Sequence, residues 1–125
     1  MTVNDALTYI DAIEPNQYTQ ANKLGWLNRL DNQIWDELIL THEHEPDIGD
    51  YTPHTATSDD LLVPSPYGEE IYEYYLKAMI AEANHETVKY NTAMALFNAA
   101  YSRYSAWYNR NNHPMPKFPG NRLFF

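Results

Sequence analysis

Residues 61–110 read LLVPSPYGEEIYEYYLKAMIAEANHETVKYNTAMALFNAAYSRYSAWYNR, and this stretch decides the fold of the 125-residue chain. Apolar residues recur in it every three or four positions, which is the period of an amphipathic α-helix. Many of them are tyrosines, whose rings supply apolar area while their hydroxyls require a polar partner. The stretch therefore predicts helices with a surface suited to protein contacts.

The stretch is expected to form two helices joined by a turn. The first begins at Pro66, with Ser65 as its N-cap and the proline at the first helical position, and it ends near residue 83. Residues 84–86 are the plausible break, although a continuous kinked helix stays open because no Gly or Pro lies there. We favour a tight antiparallel hairpin, with the last helix over residues 86–111.

The last helix carries both core and contact positions. Met94 and Phe97 are expected in the core, whereas Tyr101, Tyr104 and Tyr108 are expected to reach an interface.

Two further helices are predicted before residue 41. One spans residues 3–14 with Thr2 as its N-cap, and it ends at Pro15. The other spans residues 20–40, where leucines and isoleucines keep one apolar stripe. Residues 1–113 are thus predicted to form one all-α domain, a small bundle of about four helices.

Two segments lack a helical pattern. Residues 42–58 are read as a long acidic loop, which is functional, disordered until bound, or hiding a short strand near residues 47–52. Residues 114–125 contain several prolines and end in Leu-Phe-Phe, and they are read as an extended C-terminal arm.

The net charge of −9 is unevenly distributed. Residues 1–73 contain 15 acidic and 2 basic side chains, whereas residues 74–125 contain 2 acidic and 6 basic ones. A chain with acidic and basic ends favours oriented contacts with its own copies or with a charged partner. Sparse basic residues in an acidic chain argue against tight DNA binding.

Catalytic and metal-binding signals are weak. The chain contains no cysteine, no GxSxG motif and no phosphate-binding glycine loop, so we expect neither an enzyme nor a cofactor. His42 and His44 could chelate a metal, but a second remote pair of ligands is not evident, and we expect no metal site. No apolar run approaches a membrane span, which predicts a soluble protein made in the cytoplasm without membrane contact.

Three segments together resemble the small head-tail connector, or adaptor, proteins of tailed phages and prophages. They are YIDAIEPNQYTQANKLGWLNRLD at residues 9–31, LLVPSPYGEEIYEYYL at residues 61–76 and YNTAMALFNAAYSRYSAWYNR at residues 90–110. The resemblance implies a structural virion protein at the head–tail junction. It implies a homo-oligomeric ring, a dodecamer in the virion and a monomer when free, that extends the DNA channel below the portal protein and carries a tail-side completion protein.

The resemblance also implies three sets of site residues. The portal-docking arm would use Lys117, Phe118, Arg122, Leu123, Phe124 and Phe125. The subunit interface would use Tyr101, Arg103, Tyr104, Trp107, Tyr108 and Arg110. A channel-facing acidic loop would use Glu43, Glu45, Asp47, Asp50, Asp59 and Asp60, which would repel the phosphates of genomic DNA passing through. His85 departs from the glycine expected in relatives at the hairpin turn.

Two other functions stay open from the sequence. One is a helical scaffold or regulatory module that binds a cellular partner through the tyrosine-rich helix face. The other is a metalloenzyme built on the histidines and glutamates of the loop.

Overall fold

The computed structural model describes residues 1–114, which form an all-α bundle. Its helices are α1 (Val3–Ile13), α2 (Gln20–Ile34), α3 (Tyr67–Ala83) and α4 (Thr87–Asn111), and a π-helical turn (Trp35–Ile39) extends α2. No strand occurs within residues 1–114. The predicted four-helix fold class is confirmed.

Helix α1 begins where the sequence predicts. The Thr2 hydroxyl accepts a hydrogen bond from the Asp5 backbone N–H, and the Asp5 carboxylate accepts one from the Thr2 backbone N–H. These two bonds satisfy two of the amides that a helix start leaves unpaired. Val3, Leu7 and Ile10 then turn one face of α1 into the core.

The second predicted helix is not one continuous α-helix. Its α-helical part ends at Ile34, and the next turn widens into the π-helical turn before the chain leaves at Leu40. Leu27, Leu30, Ile34 and Leu38 are all buried, so the widened turn preserves a common apolar face. An apolar stripe alone does not distinguish the two helix types, because both place these side chains on one side.

Helices α3 and α4 form the predicted antiparallel hairpin. Their turn is closed by hydrogen bonds from the His85 N–H to the Glu82 carbonyl, 3.1 Å, and from the Glu86 N–H to the Ala81 carbonyl, 2.8 Å. His85 adopts the left-handed conformation at φ 60°. Histidine tolerates this conformation at some cost, so the missing glycine does not prevent the sharp turn.

The start of α3 differs from the prediction. Pro66 lies at the N-cap and Tyr67 is the first helical residue, while the Ser65 hydroxyl donates to the Glu69 carboxylate at 2.7 Å instead of capping an amide. Gly68 lies so close to the preceding segment that a Cβ on it would be 2.5 Å from the Val63 carbonyl oxygen. The chain therefore crosses back tightly over the first turn of α3.

A single core joins all four helices to the segment before α3. The buried apolar side chains include Val3, Leu7, Ile10, Leu27, Leu30, Ile34, Leu38, Leu61, Val63, Ile71, Leu76, Ile80 and Phe97. Within residues 1–114, no helix is long and apolar enough to span a membrane.

Candidate protein-interaction surface

A cluster of aromatic rings lies where the C-terminal half of α4 meets the start of α3. Tyr67 contacts both Tyr104 and Trp107, with ring centroids 5.8 and 5.5 Å apart. Tyr108 meets Tyr104 edge-on at 6.0 Å. These separations are those of favourable aromatic pairs. We call Tyr67, Tyr101, Trp107 and Tyr108 the aromatic surface, because each is partly exposed while packing on the core.

The predicted contact residues of α4 separate into core and surface. Tyr104 is only 2% exposed, so the prediction that it reaches an interface is wrong: its ring is covered within this chain. Phe97 is buried as predicted, and Met94 is half-buried against the core. Tyr101, Trp107 and Tyr108 keep part of their rings exposed, and they remain available to a partner.

The hydroxyls of this region stay neutral. Burial raises the pKa of Tyr104 well above its usual value, and neighbouring tyrosine hydroxyls raise it further. Burial likewise raises the pKa of Tyr101 and Tyr108. A partner would therefore meet neutral phenols, which can donate or accept hydrogen bonds but contribute no charge.

The two arginines of the predicted subunit interface have different environments. Arg103 of α4 forms an ion pair with Glu70 of α3, which links the two helices of the hairpin within one chain. Arg110 is exposed in the last turn of α4 and forms no ion pair with any part of residues 1–114. A cation in this turn is favourable because the C-terminal end of a helix carries partial negative charge.

His42 belongs to the packing of this region and does not form a metal cluster. It is 5% exposed; its Nδ1 lies 2.6 Å from the Leu38 carbonyl oxygen, and its Nε2 contacts the Asn109 side chain. Its ring also meets that of Tyr108 edge-on. His44 instead contacts the Glu45 carbonyl oxygen. Within residues 1–114, no three side chains converge in a geometry that would hold a metal ion.

The root of the C-terminal arm is attached to the domain beside the same surface. The Glu43 N–H donates to the His113 carbonyl at 2.8 Å, and His42 and Pro114 pair as a short antiparallel bridge. The path of the chain after α4 is therefore set as far as residue 114. The predicted arm residues Lys117, Phe118, Arg122, Leu123, Phe124 and Phe125 lie outside the described residues.

The acidic loop is attached to the bundle by its backbone. The Asn28 side chain bonds both the N–H and the carbonyl of His54, and the Trp35 indole N–H donates to the Gly49 carbonyl. Near its end, the Asp59 carbonyl accepts from the Val3 N–H at 2.9 Å. Residues 47–52 include the Gly49 attachment and form no strand.

The six acidic residues predicted for the loop do not share one role. Glu43, Glu45, Asp47, Asp50 and Asp60 are exposed. The Asp59 carboxylate instead accepts hydrogen bonds from the N–H groups of Thr55 and Ala56, at 2.9 and 3.0 Å. These bonds, that from Ala56 most of all, lower the pKa of Asp59. Asp59 therefore stabilises the backbone of the loop, and the expectation that its charge faces a channel stays a prediction.

Sequence reasoning missed the buried polar centre that supports this loop. Asp31 is fully buried; its carboxylate accepts from the Tyr72 hydroxyl at 2.6 Å and from the Leu62 N–H at 3.1 Å, and it lies 2.7 Å from His54 Nε2. The Tyr72 hydroxyl in turn accepts from the Val63 N–H. An acidic residue on the apolar face of α2 was the available signal, because a buried carboxylate requires partners.

Searches of protein-family models, curated proteins and solved structures found no match to this chain.

Proposed function

We propose that this protein is a structural head-tail connector of a tailed phage or prophage, located at the head–tail junction of the virion. It assembles as a ring below the portal, extends the DNA channel and provides the platform for a tail-side completion protein. It acts by assembly and performs no catalytic turnover. The proposal starts from the resemblance of three sequence segments, which together span most of the helical domain.

The attachment of His113 and Pro114 to residues 42–43 is the structural observation that carries the proposal. It gives the arm a defined exit from the domain beside Trp107 and Tyr108. A docking arm is most effective when its root is rigid, because less conformational freedom is then lost on binding. The arm sequence adds three phenylalanines and Arg122, and aromatic residues and arginine are enriched at protein interfaces.

The aromatic surface supplies the contact between neighbouring subunits in this proposal. Tyr101, Trp107 and Tyr108 combine half-buried rings with hydroxyl or indole groups, a combination favoured at interfaces. The exposed carboxylates of the loop, such as Glu45, Asp47 and Asp50, would face the channel. Their charge would repel DNA phosphates and keep the passing genome from adhering.

The test is a pull-down of the cognate portal protein with the full chain and with a version ending at Met115. Both contain the bundle of residues 1–114, so matching far-UV circular dichroism per molecule verifies that any difference comes from the arm. We expect portal capture by the full chain and at least tenfold weaker capture by the shortened one, since a loss of about 1.4 kcal/mol suffices for that factor.

Two full-length variants then separate the arm's apolar contacts from its charges. One replaces the arm's Leu and three Phe residues with Ser, and the other replaces Lys117 and Arg122 with Gln. We expect the first to bind the portal as weakly as the shortened chain and the second to lose affinity chiefly at low salt. Equal portal capture by full and shortened chains would overturn the arm's role, and no capture by either would overturn the connector function.

A further inference from the structure

A cavity outside the aromatic surface opens between the end of α2 and the acidic loop. Its volume is about 320 Å³, and its walls include Trp35, Tyr51, His54, Asp50 and Asp60. It therefore combines two aromatic rings with an imidazole and two carboxylates.

The aromatic walls of the cavity are held in place. The Trp35 indole N–H donates to the Gly49 carbonyl at 3.2 Å, and the Tyr51 hydroxyl donates to the Asn28 side-chain oxygen at 2.8 Å. The Tyr51 ring also meets the His54 ring edge-on at 5.9 Å. Rings held in this way line the cavity with little further entropic cost on binding, and the π faces of aromatic rings attract cations.

His54 offers a hydrogen-bond acceptor to the same space. Its Nε2 lies 2.7 Å from the buried Asp31 carboxylate, and the tautomer that donates from Nε2 carries a lone pair on Nδ1. Nδ1 has no hydrogen-bond partner within residues 1–114. The Asp31 carboxylate is itself held by hydrogen bonds from the Tyr72 hydroxyl and the Leu62 N–H. These bonds therefore fix the orientation of the imidazole that contacts it.

Within the part of the chain that the structure describes, the cavity is lined by two carboxylates, those of Asp50 and Asp60. Asp50 and Asp60 are exposed, and neither forms an ion pair with any part of residues 1–114. Among residues 1–114, no lysine or arginine lines the cavity. Burial raises the pKa of Tyr51, and the charge of the nearby Asp31 carboxylate raises it further. The cavity is therefore suited to a cation.

We propose that this cavity binds an arginine side chain of a partner protein. A guanidinium is planar, stacks on aromatic faces and presents five N–H donors, which match two carboxylates and the free imidazole nitrogen. A lysine ammonium would satisfy the charge but not the flat aromatic walls. A metal ion fits less well, because the side chains of residues 1–114 bring no three ligating groups together.

Within residues 1–114, the source that the chain offers is Arg110 of a second copy. The lysines at 23, 77 and 89 and Arg103 are already paired with carboxylates, and Arg29 contacts the Met79 sulfur. Arg110 is exposed and has no such partner within residues 1–114. This assignment of the source rests on the self-assembly proposed above, whereas the chemistry of the cavity does not.

The chemistry is tested on the full chain by titration with N-acetyl-arginine amide at pH 8 and low salt. The indole N–H of Trp35, assigned with a Trp35→Phe variant, reports binding by NMR. We expect a saturable shift with the arginine compound and at least tenfold weaker binding of N-acetyl-citrulline amide, its uncharged isostere, because hydrogen bonds to charged groups are the stronger ones.

A matched pair of variants places the binding in the cavity. The change Asp50→Asn with Asp60→Asn should weaken arginine binding about tenfold, whereas Glu45→Gln with Asp47→Asn removes the same charge outside the cavity and should change it less than about threefold. Equal binding of the two amides, equal effects of the two variant pairs, or no saturable shift would each overturn the proposal.

The source is tested by sedimentation velocity of the full chain across a concentration series at low salt. We expect self-association that Arg110→Gln and Asp60→Asn each weaken and that the exposed control Lys89→Gln leaves unchanged. Monomers at every concentration, or equal effects of Arg110→Gln and Lys89→Gln, would exclude Arg110 as the source. The arginine titration would still test whether the cavity binds arginine. The portal pull-down tests the connector function separately.

Discussion

The carboxylate of Asp31 connects three parts of the chain that are distant in sequence. It receives the Tyr72 hydroxyl from α3, the Leu62 N–H from the segment before it and the His54 ring from the loop. A fully buried carboxylate is costly unless such partners surround it. The loop and the start of α3 are therefore held against α2 by polar contacts as well as by apolar burial.

Two buried tyrosines allow a matched test of this centre. Tyr72→Phe removes a hydroxyl that donates to Asp31 and accepts from the Val63 N–H, so we expect a loss of about 2–3 kcal/mol in the free energy of unfolding. Tyr104 is almost equally buried, but its hydroxyl makes no hydrogen bond within residues 1–114. Tyr104→Phe should change stability by less than about 0.5 kcal/mol. Urea unfolding measures both, and equal losses would refute the role given to the Tyr72 hydroxyl.

Asp59 predicts part of the acid dependence of stability. Its folded pKa lies below the unfolded value of about 3.9, so its contribution is present above pH 4 and disappears as the pH falls through the folded pKa. Asp59→Asn removes this titration, so the free energy of unfolding should fall less between pH 5 and pH 2 than it does in the wild-type chain. Urea unfolding at several pH values measures this difference. If the free energy of unfolding of the variant fell as steeply below pH 5 as that of the wild-type chain, the role given to Asp59 would be contradicted.

At the scale of elements, the start of α3 is set by a close backbone approach. The turn before it brings the Val63 carbonyl over Gly68, and any larger residue would meet this oxygen. The lack of a side chain at position 68 therefore favours the start of the helix after Pro66. The hairpin between α3 and α4 depends in a similar way on one left-handed residue, His85.

A pair of glycine substitutions tests this approach. Gly68→Ala should lower the free energy of unfolding by about 1–3 kcal/mol, because its Cβ would overlap the Val63 carbonyl. Gly25→Ala, in the interior of α2 with no atom within 4 Å of the new Cβ, should raise it by about 0.5–1 kcal/mol. Thermal or urea unfolding gives both values, and stabilisation by both changes would show that the approach at Gly68 relaxes easily.

At the scale of the whole molecule, the acidic loop is part of the folded unit. Its attachments reach α1 through Val3, α2 through Asn28 and the π-helical turn through Trp35. Amides in such a unit open only with the structure that holds them.

Hydrogen exchange measures this coupling. The amides of His54, Leu62 and Val63 should exchange far more slowly than free peptide, since each donates to a side chain of the folded domain. Asp31→Asn should accelerate the exchange of Leu62 and Val63 more than that of α4, because it weakens their shared centre. Unprotected loop amides in the wild-type chain would show that the loop is not held to the bundle.

The helices and their order were predictable because the helical period is a local property. The stripes of residues 3–14 and 66–111, the break at residues 84–86 and the cap at Thr2 depend on neighbours within a few positions. The π-helical turn escaped prediction, since its apolar face looks the same in sequence. The shift of the α3 start from Pro66 to Tyr67 escaped for another reason, which is that the preceding segment folds back over Gly68.

The sequence by itself determined an all-α domain, the place of the long loop and the separation of acidic from basic residues, and it favoured the hairpin over a continuous kinked helix. The tertiary structure decided which side chains are covered: Tyr104 lies in the core, Trp107 and Tyr108 remain partly exposed, and Asp31 becomes the buried centre of a polar network. It also decided that Asp59 serves the loop while Asp50 and Asp60 face a cavity. The physical reason is that helix formation depends on nearby residues, whereas burial and pairing depend on distant segments that only the folded chain brings together.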